Sequence, residues 1–166
     1  MFKVGIITSS DKGYKGERED FSGKLIIELV GAKGYKVEKY IILPDEEEAL
    51  LNEMKHMADN LNVDLILTTG GTGFSKRDVT PEATIKVCDR MANGIAEAIR
   101  VYSLSITSRA MLSRAVSGIR GNTLIINMPG SPKAVKEAMD YILDSVHHGL
   151  EILTDKASEC ARTDKK

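Results

Sequence analysis

The sequence is poor in cysteine and in long apolar runs, and each shortage excludes a class of protein. Its two cysteines, Cys88 and Cys160, lie far apart and in no metal-binding spacing. They predict reduced thiols in a cytoplasmic protein, because a secreted disulfide framework needs more cysteines. No apolar run approaches the roughly 18 residues of a membrane span. Residues 1–4 lead directly into a strand-like run, so we expect neither a signal peptide nor a membrane partner.

Charge of one sign is also scarce. The chain has 23 Lys and Arg residues against 24 Asp and Glu residues, a formal net charge of -1. With no basic block, it is not expected to bind nucleic acid. The remaining composition, 42% hydrophobic and 28% charged over 166 residues, is typical of a single globular domain. We predict one domain over residues 1–154 and a polar C-terminal tail over 155–166.

Strand-like apolar runs alternate with amphipathic segments along the chain. The predicted strands are Lys3–Ser9, Val37–Leu43, Asp64–Thr69, Ala115–Arg120 and Thr123–Met128, the last two joined by a hairpin turn at Gly121-Asn122. Four helices are predicted. The first begins at Asp20 or Ser22 and ends at about Lys33, and the second follows Pro44, with Asp45 and Glu48 as a capping box. The third runs from a Thr80 cap to about Ile106 with a break near Asn93, and the fourth follows a Ser131 cap. The alternation predicts an α/β three-layer sandwich: a mainly parallel sheet with one antiparallel hairpin strand and helices on both faces.

Loops of unusual composition follow four of the predicted strands. Because the carboxyl ends of parallel strands meet at one edge of a sheet, and ligands bind there, these loops are expected to share a cleft. The loops are Ser9–Asp20, which is a long irregular stretch, Pro44-Asp45, Gly70–Asp78 and Asn127–Ser131.

This set of residues favours a ligand that carries phosphate. Glycine lets backbone N–H groups approach phosphate oxygens, and a helix N-terminus adds partial positive charge. Lys76 and Arg77 could add full positive charges. Asp45 and Asp78 are oxygen donors suited to Mg²⁺, which binds one or two carboxylates plus substrate phosphates. Together these residues predict a phosphoryl or nucleotidyl transfer site.

Each feature also has a purely structural interpretation. Asp45 is a sufficient helix cap, Asp78 is a sufficient cap or Asx turn, and Gly70–Gly73 could be a plain tight turn. The glycine segment matches neither the P-loop nor the dinucleotide-binding fingerprint. Local sequence leaves these alternatives open.

Several segments together resemble the MogA/MoaB molybdenum-cofactor family, to which the G domain of gephyrin is similar. The likeness covers nearly the whole chain, with departures at Lys12, Phe21 and Ser131. The segments that carry it are Thr69–Phe74, Arg77–Thr84, Met111–Arg114, Gly118–Gly121 and Asn127–Gly130.

The resemblance implies an activity and a set of site residues. Its MogA branch joins molybdopterin to ATP, releasing pyrophosphate, with Mg²⁺; members are commonly trimers, and the product passes on to molybdate insertion. The catalytic, metal-holding aspartates of the family fall on Asp45 and Asp78. The substrate contacts fall on Ser10, Asp20, Gly70, Gly71, Thr72, Gly73, Ser103, Ser113, Asn127, Pro129, Gly130 and Ser131.

Two other functions stay open from the sequence. One is a MoaB-like module that binds molybdopterin without chemistry, for which an intact Asp45 and Asp78 pair is not required. The other is a nucleotide pyrophosphatase, which would consume ATP without pterin.

Overall fold

The computed structural model describes residues 1–155, whose strands and helices alternate as the sequence pattern predicts. Residues 156–166, which hold Cys160 and nearly all of the predicted tail, lie outside the described residues. The strands are β1 (Lys3–Ser9), β2 (Lys36–Leu43), β3 (Leu65–Thr69), β4 (Arg90–Met91), β5 (Ser117–Arg120) and β6 (Thr123–Met128). The helices are α1 (Asp11–Tyr14), α2 (Phe21–Ala32), α3 (Glu47–Lys55), α4 (Thr80–Val87), α5 (Gly94–Leu104) and α6 (Pro132–Leu153).

The six strands form one sheet in the order β2-β1-β3-β6-β5-β4. The first four run parallel to one another. β5 pairs antiparallel with β6 as the predicted hairpin, and β4 adds an antiparallel edge to β5. The predicted fold class is therefore confirmed.

Helices cover both faces of the sheet because successive side chains of a strand point to opposite faces. In β1, Val4 and Ile6 pack with α2, α5 and α6 on one face, whereas Ile7 packs with α3 and α4 on the other. In β3, Leu65 and Ile66 divide in the same way. The central strands are thus buried on both faces, as expected of parallel strands.

The last helix follows from its sequence pattern. Ser131 caps it by accepting a hydrogen bond from the N–H of Ala134 at 3.3 Å, and Pro132 occupies the first turn, as predicted. Its buried side chains, among them Val135 and Met139, recur every three or four residues. None of the helices within residues 1–155 combines the length and apolarity that crossing a bilayer requires.

Two predicted helix starts are wrong, and both errors concern residues near the cleft. The N-cap of α3 is Glu46, without a side-chain cap, so the capping box of Asp45 and Glu48 is not formed. The N-cap of α4 is Val79, so Thr80 is the first residue of the helix and not its cap. In each case a partner outside the first turn outcompetes the local cap. Asp45 hydrogen-bonds to Ser9 and Asp11 at the end of β1 and just after it, and the Thr80 hydroxyl donates to the carbonyl of Gly70, ten residues earlier.

The segment predicted as helix from Thr80 to Ile106 has its predicted break near Asn93, where α5 begins, but the break is wider than predicted. α4 ends at Val87, the two-residue strand β4 follows, and α5 ends at Leu104. A strand of two residues is too short to show a period, so the pattern cannot predict it. The long loop after β1 likewise contains α1, one turn capped by the Ser10 hydroxyl, which accepts from the N–H of Gly13 at 3.0 Å.

Candidate active site

The loops at the carboxyl edge of the parallel strands enclose a cavity of about 630 Å³. It lies where the chain leaves β1, β2, β3 and β6, as the topology predicts. The predicted site residues that line it are Ser10, Asp20, Asp45, Gly70, Gly71, Asp78, Gly130 and Ser131.

Asp45 follows β2 and is held by the loop that follows β1. Its Oδ1 accepts a hydrogen bond from the Ser9 hydroxyl at 2.6 Å, and its Oδ2 accepts from the N–H of Asp11 at 2.9 Å. Its own N–H donates to Oδ1 of Asp11 at 3.0 Å. The carboxylate is therefore fixed in direction, while each of its oxygens keeps a lone pair for a ligand.

Asp11 connects this arrangement to the glycine-bearing loop. The Arg77 guanidinium donates to both of its carboxylate oxygens, at 2.9 and 3.0 Å. These hydrogen bonds, with a further contribution from the N–H of Asp45, hold the pKa of Asp11 below its ordinary value. Arg77 is thus bound to Asp11 beside the cavity. The sequence predicts that Lys76 and Arg77 add positive charge to the site, but neither residue lines the cavity.

The glycine loop needs its glycines for conformation and for space. Gly70 and Gly71 have φ values of 89° and 67°, in the left-handed region that favours glycine. A Cβ on Gly71 would overlap the Thr80 hydroxyl and would lie 3.4 Å from Oδ1 of Asp45. The Thr80 hydroxyl donates to the carbonyl of Gly70 at 3.0 Å, so α4 starts directly against this loop.

Asp78 lies at the far end of the same loop. Its Oδ2 accepts from the N–H of Ser75 at 3.0 Å, and a Cβ on Gly73 would lie 2.9 Å from this oxygen. No hydrogen bond within residues 1–155 reaches the other oxygen, Oδ1, which is therefore available to a ligand. Asp45 and Asp78 thus border opposite ends of the loop and line one cavity.

Asp20 also lines the cavity, but its carboxylate is occupied. It accepts hydrogen bonds from the Thr8 hydroxyl at 2.5 Å, the Tyr40 hydroxyl at 2.6 Å and the N–H of Gly23 at 2.8 Å. Burial, followed by these interactions with Asp20, raises the pKa of Tyr40. Asp20 therefore acts as the cap of α2 and anchors the cavity wall.

Six of the predicted contact residues do not line this cavity: Thr72, Gly73, Ser103, Ser113, Asn127 and Pro129. Asn127 is fully buried, and its amide donates to the hydroxyls of Thr68 at 3.0 Å and Thr84 at 2.8 Å. The carbonyl of Pro129 accepts from Thr69, and the hydroxyl of Ser113 accepts from a backbone N–H. Ser103 belongs to α5.

Other residues of the lining are not among the site residues expected from the sequence. Arg18 is the only basic side chain in the lining, which is drawn from residues 1–155, and Phe21 is a largely exposed aromatic residue at the start of α2. Arg18 belongs to the polar loop after β1, and Phe21 directly follows this loop. The signal that could have found them is their place after a strand end.

The donor set of the cavity fits magnesium shared with a substrate. Within residues 1–155 no group of three or more His, Cys, Asp or Glu side chains is placed to hold a metal ion. Mg²⁺ usually takes only one or two carboxylates and completes its shell with phosphate oxygens and water. Asp45 accepts one hydrogen bond on each oxygen and Asp78 accepts one on Oδ2, so both carboxylates in the lining keep acceptor capacity that matches this requirement.

Fold and site together define a class, an α/β domain with a glycine loop and two carboxylates around one cavity at the sheet edge. A family model described as "Probable molybdopterin binding domain" matches residues 5–148, and the chain belongs to this family. This confirms the resemblance found in the sequence.

Two curated relatives are enzymes by name. The molybdopterin adenylyltransferase of Helicobacter pylori strain J99 is 38% identical over 154 residues, which cover 90% of this chain and 86% of the relative. That of Escherichia coli K12 is 36% identical over 155 residues, 89% and 79% of the two chains. Among solved structures, the molybdopterin biosynthesis enzyme MoaB of Thermus thermophilus superposes with a TM-score of 0.89 at 44% identity, covering 96% of this chain and 100% of that one.

Proposed function

We propose that this protein is a molybdopterin adenylyltransferase, which transfers AMP from ATP to the phosphate of molybdopterin and releases pyrophosphate. The observation that carries the proposal is that Asp45 and Asp78 border one glycine loop and line one cavity. The cavity volume of about 630 Å³ lies within the range typical of small-ligand sites. The names of the enzymes to which the chain is similar support the same reaction.

The chain's own groups would act chiefly by positioning. Backbone N–H groups at Gly70 and Gly71, which line the cavity, would bind phosphate oxygens, and Asp45 and Asp78 would hold magnesium. When bound, Mg²⁺ neutralises charge on the phosphates of ATP. The phosphate of molybdopterin is itself the nucleophile, so the protein needs to supply no covalent group. Holding both substrates in line is the main contribution expected of it.

We propose that residues 1–154 are the catalytic domain and that three copies assemble. Exposed apolar side chains support this assembly, since they cluster on α5, on the short link after it and on the 3₁₀ turn at Ser108–Leu112 that packs against α5. They are Val101, Leu104, Ile106, Met111 and Leu112. Sedimentation equilibrium should give a trimer, and Val101→Glu should dissociate it, whereas Ile85→Glu, at another exposed apolar position, should not. A monomeric or dimeric parent protein would contradict this proposal.

We place the reaction in the cytoplasm, with hand-over of the adenylylated product to an enzyme that inserts molybdate. The product is a phosphoanhydride, whose hydrolysis is favourable, so direct transfer to the next enzyme would protect it. Both statements extend the proposed reaction and stand or fall with it.

The test is to incubate the protein with ATP, Mg²⁺ and molybdopterin and to measure pyrophosphate and adenylyl-molybdopterin. Asp45→Asn and Asp78→Asn should stay folded and lose most turnover. Molybdopterin binding without pyrophosphate release would indicate the non-catalytic module. ATP consumption without pterin would indicate a pyrophosphatase, and normal turnover by both variants would refute the roles of the two carboxylates.

A further inference from the structure

Arg114 ties together the loop that carries Asp78. Its Nε donates to the carbonyl of Gly73 at 2.7 Å, and one of its terminal nitrogens donates to the carbonyl of Asp78 at 2.7 Å. Its backbone N–H donates to the carbonyl of Thr72 at 2.9 Å. One residue, outside the loop in sequence, therefore holds both ends of the segment from Thr72 to Asp78.

Glu82, in the first turn of α4, fixes the guanidinium from the other side. The carboxylate of Glu82 forms an ion pair with Arg114. Although burial opposes it, the hydrogen bond from Arg114 holds the pKa of Glu82 below its ordinary value. The planar guanidinium thus has its donors directed at three fixed acceptors, a geometry that the single ammonium of lysine cannot reproduce.

Arg114 is not placed to touch a substrate. It does not line the cavity, and its guanidinium donates hydrogen bonds to two loop carbonyls and to Glu82. Asp78 does line the cavity, and its carboxylate bonds to the N–H of Ser75 within the segment that Arg114 closes. The effect of Arg114 on chemistry must therefore pass through the position of Asp78.

We propose that Arg114, braced by Glu82, is a positioning residue that directs the carboxylate of Asp78 into the cavity. This inference rests on the proposed function of Asp78. It assigns to the segment after the 3₁₀ turn a task in the reaction that the sequence motif alone does not reveal. Freed from Arg114, the loop would let Asp78 leave the position from which it acts, and the rate of the chemical step would fall.

The experiment compares Arg114→Lys with Arg120→Lys. Arg120 is a matched control, because it also donates to a carboxylate, Asp59, and to a carbonyl, that of Val87, but away from the cavity. Arg114→Lys should lower kcat by about tenfold to a hundredfold, a typical cost of misplacing a reacting group. KM for molybdopterin should change little, and the Mg²⁺ concentration for half-maximal rate should rise. Arg120→Lys should leave all three unchanged.

A double-mutant cycle separates positioning from a direct role. If Arg114 acts through Asp78, Arg114→Lys combined with Asp78→Asn should be no slower than Asp78→Asn alone. Rates that multiply in the double variant, or a normal kcat in Arg114→Lys, would overturn the inference.

Hydrogen exchange supplies a readout that does not depend on catalysis. In Arg114→Lys the backbone amides of residues 73–78 should exchange faster, while those of β1 and β3 keep the parent rates. Unchanged exchange in this segment would also overturn the inference. If the parent protein proves to lack adenylyltransferase activity but the loop amides respond as expected, the proposed function fails and the bracing of the loop by Arg114 stands.

Discussion

Asp11 and Asp45 each donate a backbone N–H to the carboxylate of the other, at 2.9 and 3.0 Å. This reciprocal pair joins the loop after β1 to the loop after β2. Because Arg77 also binds the carboxylate of Asp11, the pair extends to the glycine loop after β3. Asp45 is therefore oriented by the protein itself, and no ligand has to order it.

Removing the Asp11 carboxylate should impair catalysis more than folding. Asp11→Ala leaves the N–H of Asp45 without its acceptor and releases Arg77, so we expect kcat to fall by about tenfold or more. The free energy of unfolding should drop by only about 1–2 kcal/mol, because the lost groups are partly exposed. Pyrophosphate release and urea unfolding measure the two effects. Asp11→Asn keeps an acceptor for the N–H of Asp45, so its kcat should lie between those of the parent protein and Asp11→Ala. Equal rates in all three proteins would contradict the orienting role of Asp11.

Gly71→Ala should show that space, and not only backbone conformation, requires glycine in the loop. The matched control is Gly16→Ala, because Gly16 has φ of 73° but nothing within 4 Å of an added Cβ. The control should cost about 1 kcal/mol from backbone strain alone. Gly71→Ala, with φ of 67°, must also displace the Thr80 hydroxyl, so we expect a larger loss of stability and of activity. Equal effects in urea unfolding would mean that the loop yields freely.

The sequence predicts the framework of the site well because the framework follows from local pattern. β1, β3 and β6 are continuous apolar runs, and Asp45 and Gly70–Gly73 follow strand ends directly. Parallel topology then brings their loops to one edge without knowledge of any contact. The hairpin and the Ser131 cap are confirmed for the same reason, since their signals lie within a few residues.

The details of the site could not be predicted because they depend on contacts between distant segments. The sequence leaves Asp45 open to interpretation as a local cap, but Asp11, 34 residues away, donates a hydrogen bond to its carboxylate. From the sequence Arg77 is expected to be available for phosphate, but Asp11, 66 residues away, binds its guanidinium. Such competition between a near and a far partner is decided by packing, which periodicity does not contain.

We expect substitution of Asn127 to lower the stability of the fold more than it weakens substrate binding. Asn127→Leu removes the donors to Thr68 and Thr84, both buried, and the acceptor of the partly buried N–H of Val116. Unsatisfied buried polar groups cost about 1–3 kcal/mol each, so unfolding should become easier by at least about 2 kcal/mol. Asn52→Leu, the same change at an exposed helix position, should shift stability by less than about 0.5 kcal/mol.

Kinetics decide whether Asn127 also touches molybdopterin. With the side chain fully buried, KM for molybdopterin in the folded fraction of Asn127→Leu should stay near that of the parent. A large rise in KM with unchanged stability would instead support the direct contact that the family resemblance implies.

The ion pair of Asp59 and Arg120 should make stability depend on pH in acid. Arg120 donates to both carboxylate oxygens, at 2.8 and 2.6 Å, and lowers the pKa of Asp59 below its ordinary value of 3.8. A carboxyl with a depressed folded-state pKa stabilises the fold above its unfolded-state pKa, and this contribution disappears as pH falls through the folded-state value.

The variant Asp59→Asn tests this contribution, because it lacks the charge at every pH. Its unfolding free energy should lie below that of the parent protein by up to about 1 kcal/mol near neutrality. The gap should narrow below about pH 4 as the parent loses the same charge. Urea unfolding of both proteins across this range measures the gap, and a constant difference from neutral to acid pH would show that the charge on Asp59 contributes nothing.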